Sequence, residues 1–154
     1  MHKILIDLDV LTVAFWKGDK KELALKFLSR VKNEEFILVT PFSLVNLILE
    51  WNDKLLAEKI KDFYFEYSNH ILSNVEILKL TNRKGIGEEK IVNELESLGV
   101  KKEDSVLVFV ASLFNIDYLI TFNRKHLKNN RDKINEVLKK NGLRTIKIVE
   151  PNEI

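Results

Sequence analysis

Met1-His-Lys-Ile-Leu-Ile-Asp-Leu-Asp-Val-Leu11 opens the chain, and Asp7 and Asp9 interrupt it where its first apolar run ends. The run Ile4–Leu8 predicts a strand buried on both faces, the kind found in parallel sheets. A carboxylate there is costly unless it is hydrogen-bonded, ion-paired or holding a metal. At the C-terminal end of a parallel strand it also lies where open α/β sheets bind ligands.

Working outward, further strand-like runs occur at Phe36–Thr40, Val75–Leu80, Tyr118–Thr121 and Ile146–Val149. Helical spacing separates them. Lys20–Lys32 carries Leu23, Phe27, Leu28 and Val31, and Phe42–Trp51 follows Pro41 with Ser43 as its cap. Leu55–Leu72 is long and aromatic-rich, Glu88–Leu98 stops at Gly99, and Asn130–Lys140 precedes Gly142. Asp104–Phe114 is almost wholly apolar after its first residues, which predicts a buried helix. Strands alternating with helices indicate an α/β fold with a parallel sheet. With 154 residues and no linker, repeat or low-complexity segment, the expectation is one domain over 1–154.

Composition narrows the chemistry. Apolar residues at 45% exclude a largely disordered chain, and no run approaches the length of a membrane span. No charged-then-apolar leader opens the chain, so a cytoplasmic protein is expected. Cysteine is absent, which excludes disulfides, thiolate metal sites and cysteine nucleophiles. The net charge of +2 does not by itself point to nucleic acid, but Arg124, Lys125, Lys128 and Arg131 fall close together.

Three sets of polar residues fall where loops at one sheet edge would gather them. Asp7 and Asp9 end or follow the first strand. Asn46 and Glu50 are four residues apart, on one face of the helix after the second strand. Thr121 and Asn123 follow the fourth strand. Asp104, opening the buried helix, is a further candidate. Taken singly each has an ordinary structural explanation: Asp104 as a helix cap, Thr121 and Asn123 as turn residues, Glu50 as a surface acid or a partner for Lys54.

Their order carries more than any one of them. The stretches ILIDLDVL, ILVTPFSLVNLILEW and KKEDSVLVFVASLFNIDYLITFNRKHL, with the ending GLRTIKIVEPNEI, resemble the PIN-domain family. The resemblance covers most of the chain, and Trp51–Val100 is its least diagnostic part. It implies a three-layer α/β/α sandwich around a central, mostly parallel five-stranded sheet. It also implies Mg²⁺ or Mn²⁺ binding and cleavage of RNA, and many members are VapC-like toxins, usually dimeric and inhibited by a small antitoxin. The family's first acid corresponds to Asp7 and its third to Asp104; both would hold the metal. Its fourth position, often Asp and sometimes Asn, corresponds to Asn123, with Thr121 as the accompanying hydroxyl. Asp9 stands where the family usually has Asn.

The departure is at the second acid. Counting from Ser43, the family's Glu position holds Asn46, and Glu50 lies one turn further on, about 6 Å along a helix axis. Two acid positions therefore carry amides, and Asp9 is an extra acid that partly restores the charge. Arg124, Lys125, Lys128 and Arg131, together with Arg83 and Lys84 after the third predicted strand, are the expected RNA contacts. Phe15, Trp16 and Phe122 read as core aromatics or as base-stacking groups.

Two other functions compete. A degenerate domain of the same fold would bind RNA or a protein without cutting. A phosphatase of the haloacid-dehalogenase type would use Asp-x-Asp after the first strand. Against it, Leu11 replaces the Thr or Val that follows that pair, and the late strand ends in Thr-Phe-Asn rather than in acids. Gly85-Ile-Gly87 lacks the third glycine of a dinucleotide site, and His2, His70 and His126 have no ligand spacing.

Overall fold

The computed structural model describes residues 1–154. Five strands form one sheet: β1 (Lys3–Ile6), β2 (Ile37–Pro41), β3 (His70–Leu72), β4 (Tyr118–Ile120) and β5 (Lys147–Val149), in the order β3-β2-β1-β4-β5. Every pairing is parallel, with Ile4 opposite both Leu38 and Tyr118 and Ile6 opposite Ile120. Parallel strands need helical crossovers. These are α1 (Leu8–Phe15), α2 (Lys21–Lys32), α3 (Phe42–Ile48), α4 (Lys54–Tyr67), α5 (Asn74–Lys84), α6 (Glu88–Ser97), α7 (Lys102–Leu113) and α8 (Arg131–Lys140).

The chain moves outward from β1 to β3, then returns to the other side of β1 to lay down β4 and β5. Right-handed crossovers put the outward helices on one face and the returning helices on the other. The contacts agree: α1 packs on α2 and α4, and α3 on α4, while α6 packs on α7 and α8, and α5 on α7. The result is a three-layer sandwich whose buried apolar residues form one continuous cluster. No helix is long and apolar enough to cross a membrane.

The strand order reverses beside β1, so the C-terminal ends of β1 and β4 form the topological switch point, the crevice where such sheets bind ligands. The fully buried Tyr64 of α4 donates its hydroxyl to the Ile6 carbonyl at 2.8 Å and ties the end of β1 to the outer helix layer.

Sequence and structure differ at three places. The first strand stops at Ile6, because Asp7 caps a helix, α1, that the pattern had not indicated. The third strand is His70–Leu72, the end of the expected helix Leu55–Leu72, which stops at Tyr67, and not Val75–Leu80; the latter lies in α5. The alternation in VEILKL resembles a strand, but Ser73 and Glu76 form a capping box that starts a helix, and Val75 and Leu78 are exposed. Ile77 and Thr81, one turn apart, are the residues α5 buries, and Gly85 ends it at φ 65°. Finally, Ser43 does not cap α3, whose first turn is entered from Pro41 without a side-chain cap.

Tyr64→Phe removes the tie to Ile6 and leaves a buried carbonyl without that donor. Urea denaturation is expected to show a loss of about 1–2 kcal/mol, with the far-UV circular dichroism of the native state unchanged.

Candidate active site

Asp7 is the first residue past β1. Its N–H still donates to Ile120 of β4 at 2.9 Å, so its backbone is held by the sheet while its side chain leaves it. One carboxylate oxygen accepts from the Leu8 N–H at 2.8 Å, the N-cap bond of α1. The other accepts the Thr121 hydroxyl at 2.9 Å. Asp9, in the first turn of α1, accepts from the Phe122 N–H at 3.1 and 3.2 Å and lies 3.3 Å from the Thr121 hydroxyl. That hydroxyl has one hydrogen, and the shorter contact assigns it to Asp7. Its oxygen accepts from the Asn123 N–H at 3.0 Å. The segment after β4 therefore grips both acids that follow β1.

Asp104 arrives from the opposite helix layer, in the first turn of α7. It does not cap the helix: the N-cap position is Lys101, with no side-chain bond. One Asp104 oxygen instead accepts from the Asn123 side-chain amide at 3.0 Å, while the Asn123 amide oxygen accepts from the His126 N–H at 3.0 Å. The amide at position 123 has a function an acid there would lack, since an ionised carboxylate cannot donate.

Burial and like charge act on all three acids. Burial, then Asp9 and Asp104, pushes the Asp7 carboxyl up to about 7, against the bonds from Thr121 and Leu8. Burial also pushes Asp9 up to about 6, opposed by the Phe122 and Thr121 donors. Asp104 is raised by burial, with His126 and Lys101 pulling the other way. A cation beside these carboxylates would relieve their repulsion. Ligand distance is a narrower test: no three His, Asp or Glu side chains are grouped closely enough to hold an ion by themselves. Two carboxylates completed by water and substrate phosphate remain a sufficient donor set for Mg²⁺.

Two adjoining clefts share Asp7, Leu8 and Asp104. One, of about 450 Å³, is also lined by Asp9, Thr12, Trp51, Lys101 and Asn123. The other, of about 300 Å³, runs between α3 and α7. Asp7, Asp9, Thr121, Asn123 and Asp104 thus come together from three separate parts of the sequence. Asn46 and Glu50 do not join them: both are exposed and neither lines either of these clefts. Glu50 lies beyond α3, which ends at Ile48. Ser43, Lys101 and Glu103 do line the clefts. Glu103 was not among the sequence candidates; its signal was its place beside Asp104 in the same helical turn.

The basic residues divide. The side chain of Glu150, just past β5, is only 4% exposed and pairs with Lys20 at 2.8 Å, Arg124 at 3.0 Å and Lys128 at 2.7 Å. Burial would raise its carboxyl, but hydrogen bonds from Lys128, Lys20 and Arg124 outweigh this and hold it at about 2. Arg124 and Lys128 are thereby committed to the fold. Arg131 donates to the Lys128 carbonyl, and Lys125 is exposed with no ion pair. Arg83 and Lys84 are misplaced in the sequence reading, because they close α5 and do not follow a strand. Lys84 donates to the Leu113 carbonyl, at the end of α7 opposite Asp104. Of the aromatics, Phe15 packs on Phe63, Phe122 lies under the Lys20 ammonium at 5.1 Å, and Trp16 is exposed.

No family model and no curated protein matches the chain. Among solved structures it is similar to VapBC2 from Rickettsia felis, crystallised bound to a DNA fragment from their promoter. The similarity has a TM-score of 0.57 at 14% identity and covers 96% of this chain and 98% of that one. It extends over nearly the whole of both chains and shows a shared fold.

Glu150→Gln strips the counter-charge from three cations and loosens the segment that carries Phe122 and Asn123. Because those cations are partly solvated, the expected loss at pH 7 is about 2 kcal/mol, below that of a fully buried pair. The folded Glu150 carboxyl lies below its ordinary value of 4.5. Its contribution is therefore complete above pH 4.5 and fades as pH falls from 4.5 towards about 2. Wild type and variant should converge in thermal melts over that window.

Proposed function

We propose that this chain is a Mg²⁺- or Mn²⁺-dependent endoribonuclease acting as the toxin of a toxin–antitoxin pair. The observation that carries the reading is the meeting of Asp7, Asp9 and Asp104 at the switch point, each held by a donor from the segment after β4 or by its own helix N-terminus. Acids whose carboxyls are driven upward by burial and by one another suit a cation and, through it, a phosphate. The fold shared with the Rickettsia felis VapBC2 structure supports the toxin assignment and an antitoxin partner.

In this reading Asp7 and Asp104 hold the cation. When bound, it supplies positive charge to the phosphodiester and makes a hydroxide nucleophile accessible near neutral pH. The chain's own residues set the geometry. Thr121 fixes the rotamer of Asp7, the Phe122 N–H fixes Asp9, and the Asn123 amide fixes Asp104. Asp9 adds charge that Asn46 does not supply. Lys101, on the wall of the larger cleft, and the unpaired Lys125 are the cations free to meet the RNA backbone.

A second reading has a specific observation in its favour. No three acids converge within ligand distance, and Asn46 and Glu50 face solvent. The same cleft in a non-cleaving domain would bind RNA or a partner only.

Cleavage of single-stranded RNA with and without Mn²⁺ separates the two. Asp7→Ala and Asp104→Asn should each lower the rate roughly 100-fold or more, in keeping with several kcal/mol of cation-derived stabilisation. The cation should also raise the melting temperature, by an amount equivalent to about 2.7 kcal/mol at a hundred times its dissociation constant. Both variants should lose that rise. RNA that binds yet stays intact in Mn²⁺ would establish the non-cleaving reading instead.

A further inference from the structure

We infer that the smaller cleft, between α3 and α7, binds one unpaired nucleobase of the RNA and prefers a base that carries an exocyclic amino group. The inference rests on the ribonucleic-acid reading of the acid site and goes beyond it to which part of the substrate is read.

The cleft has a lining unlike its neighbour's. The larger cleft has Leu8, Val13 and Trp51 on its wall, but also Asp9, Thr12, Lys101 and Asn123, the groups a phosphate and its cation would use. The smaller one shares Asp7, Leu8 and Asp104 and adds four aliphatic side chains, Leu44, Leu47, Val106 and Leu107, beside Ser43 and Glu103. A sugar–phosphate chain gains nothing from five aliphatic side chains. A flat apolar ring does, and a cavity of about 300 Å³ with a few polar groups is of the size that takes a small ligand. Bases taken out of a stack are held in this way, between apolar faces and with hydrogen bonds to their edges.

Position supports the same occupant. The slot adjoins Asp7 and Asp104, so a base entering it belongs to a nucleotide beside the phosphate that those acids would address. Leu47 is 44% exposed, an aliphatic side chain left open to water on the wall of the cleft. A base seated there would cover it. Bases in a duplex are already stacked and paired, so the slot selects single-stranded RNA.

The polar groups in the slot then discriminate among bases. Ser43 offers a hydroxyl that donates or accepts, but Glu103 offers only acceptors. A carboxylate accepts from an exocyclic amino group, as it does from the amino group of cytosine, and repels a carbonyl oxygen in its place. Adenine, cytosine and guanine present such a group. Uracil presents carbonyls, and its seat beside Glu103 is unfavourable.

Fluorescence anisotropy with labelled single-stranded oligomers tests this, run in Ca²⁺ with a denaturing gel to verify that the oligomer stays intact. Oligo(A) and oligo(C) should bind the wild type roughly tenfold more tightly than oligo(U) or the same backbone without bases. Val106→Trp, which fills the slot, and Leu47→Asn, which makes its wall polar without adding charge, should each abolish the difference while leaving affinity for the baseless backbone unchanged. Glu103→Gln should narrow the gap between oligo(C) and oligo(U) by raising the affinity for oligo(U), and keep the gap between oligo(C) and the baseless backbone. Melting curves of the variants check that they are folded. Equal binding of all four oligomers by the wild type, or a preference that survives both slot variants, overturns the inference. Cleavage in Mn²⁺ that proceeds without base preference leaves the nuclease reading standing and sinks only the slot. A wild type that neither binds nor cleaves any RNA sinks both.

Discussion

The site depends on one hydroxyl. Thr121 is fully buried, donates to Asp7 and accepts from the Asn123 N–H. Like-charged carboxylates in a buried pocket repel strongly, because the surrounding dielectric does little to screen them. They remain together only where the backbone fixes their origins and fixed donors meet their oxygens. Here β1 and β4 fix the origins, the Asp7 N–H closing the last rung to Ile120. Thr121, Phe122 and Asn123, three consecutive residues, provide the donors for all three acids. Removing the Thr121 hydroxyl would leave Asp7 with only its own helix cap.

The second fixed point is Glu150, which holds the other side of that same segment. Lys20 bridges Glu150 and the Phe122 ring, Arg124 follows Asn123 directly, and the Lys128 N–H donates to the Asn123 carbonyl. The segment after β4 is thus pinned between acids on one side and a single carboxylate on the other. The basic residues balance charge within the fold here, and this limits how many of them are free to meet a polyanion. Cations counted in sequence overstate the positive surface of the site, since Arg124 and Lys128 are spent on Glu150 and Lys84 sits at the far end of α7.

This division explains what could be read before the structure was known. The sheet and most crossovers were legible because strand burial and helix amphipathicity leave periodic marks. Asp7, Asp104, Thr121 and Asn123 were legible because their places relative to strands β1 and β4 and helix α7 are set by the chain order. The errors lie where local chemistry competes with period. VEILKL alternates like a strand, yet Ser73 and Glu76 make it a helix. Glu50 is one turn from the expected acid position in sequence, but α3 ends before reaching it. Glu103 was passed over although it stands beside Asp104, and Glu150 was hidden because nothing in a sequence tells that a surface-type residue is buried under three cations.

The two amides, Asn46 and Asn123, have unlike consequences. Asn46 is exposed and contributes nothing to the cluster. Asn123 is integral: it donates to Asp104 and receives the His126 N–H. An aspartate at 123 would remove the donor that steadies Asp104 and add a like charge beside it, raising carboxyls that burial already raises. The cluster therefore carries as much negative charge as its donors can hold. On the nuclease reading such a site would bind a hard cation with few protein ligands, and oxygen atoms from a phosphate would complete the shell. On the nuclease reading, cation and substrate depend on each other for binding, a coupling that follows from the number of carboxylates the segment Thr121–Asn123 can hold in place.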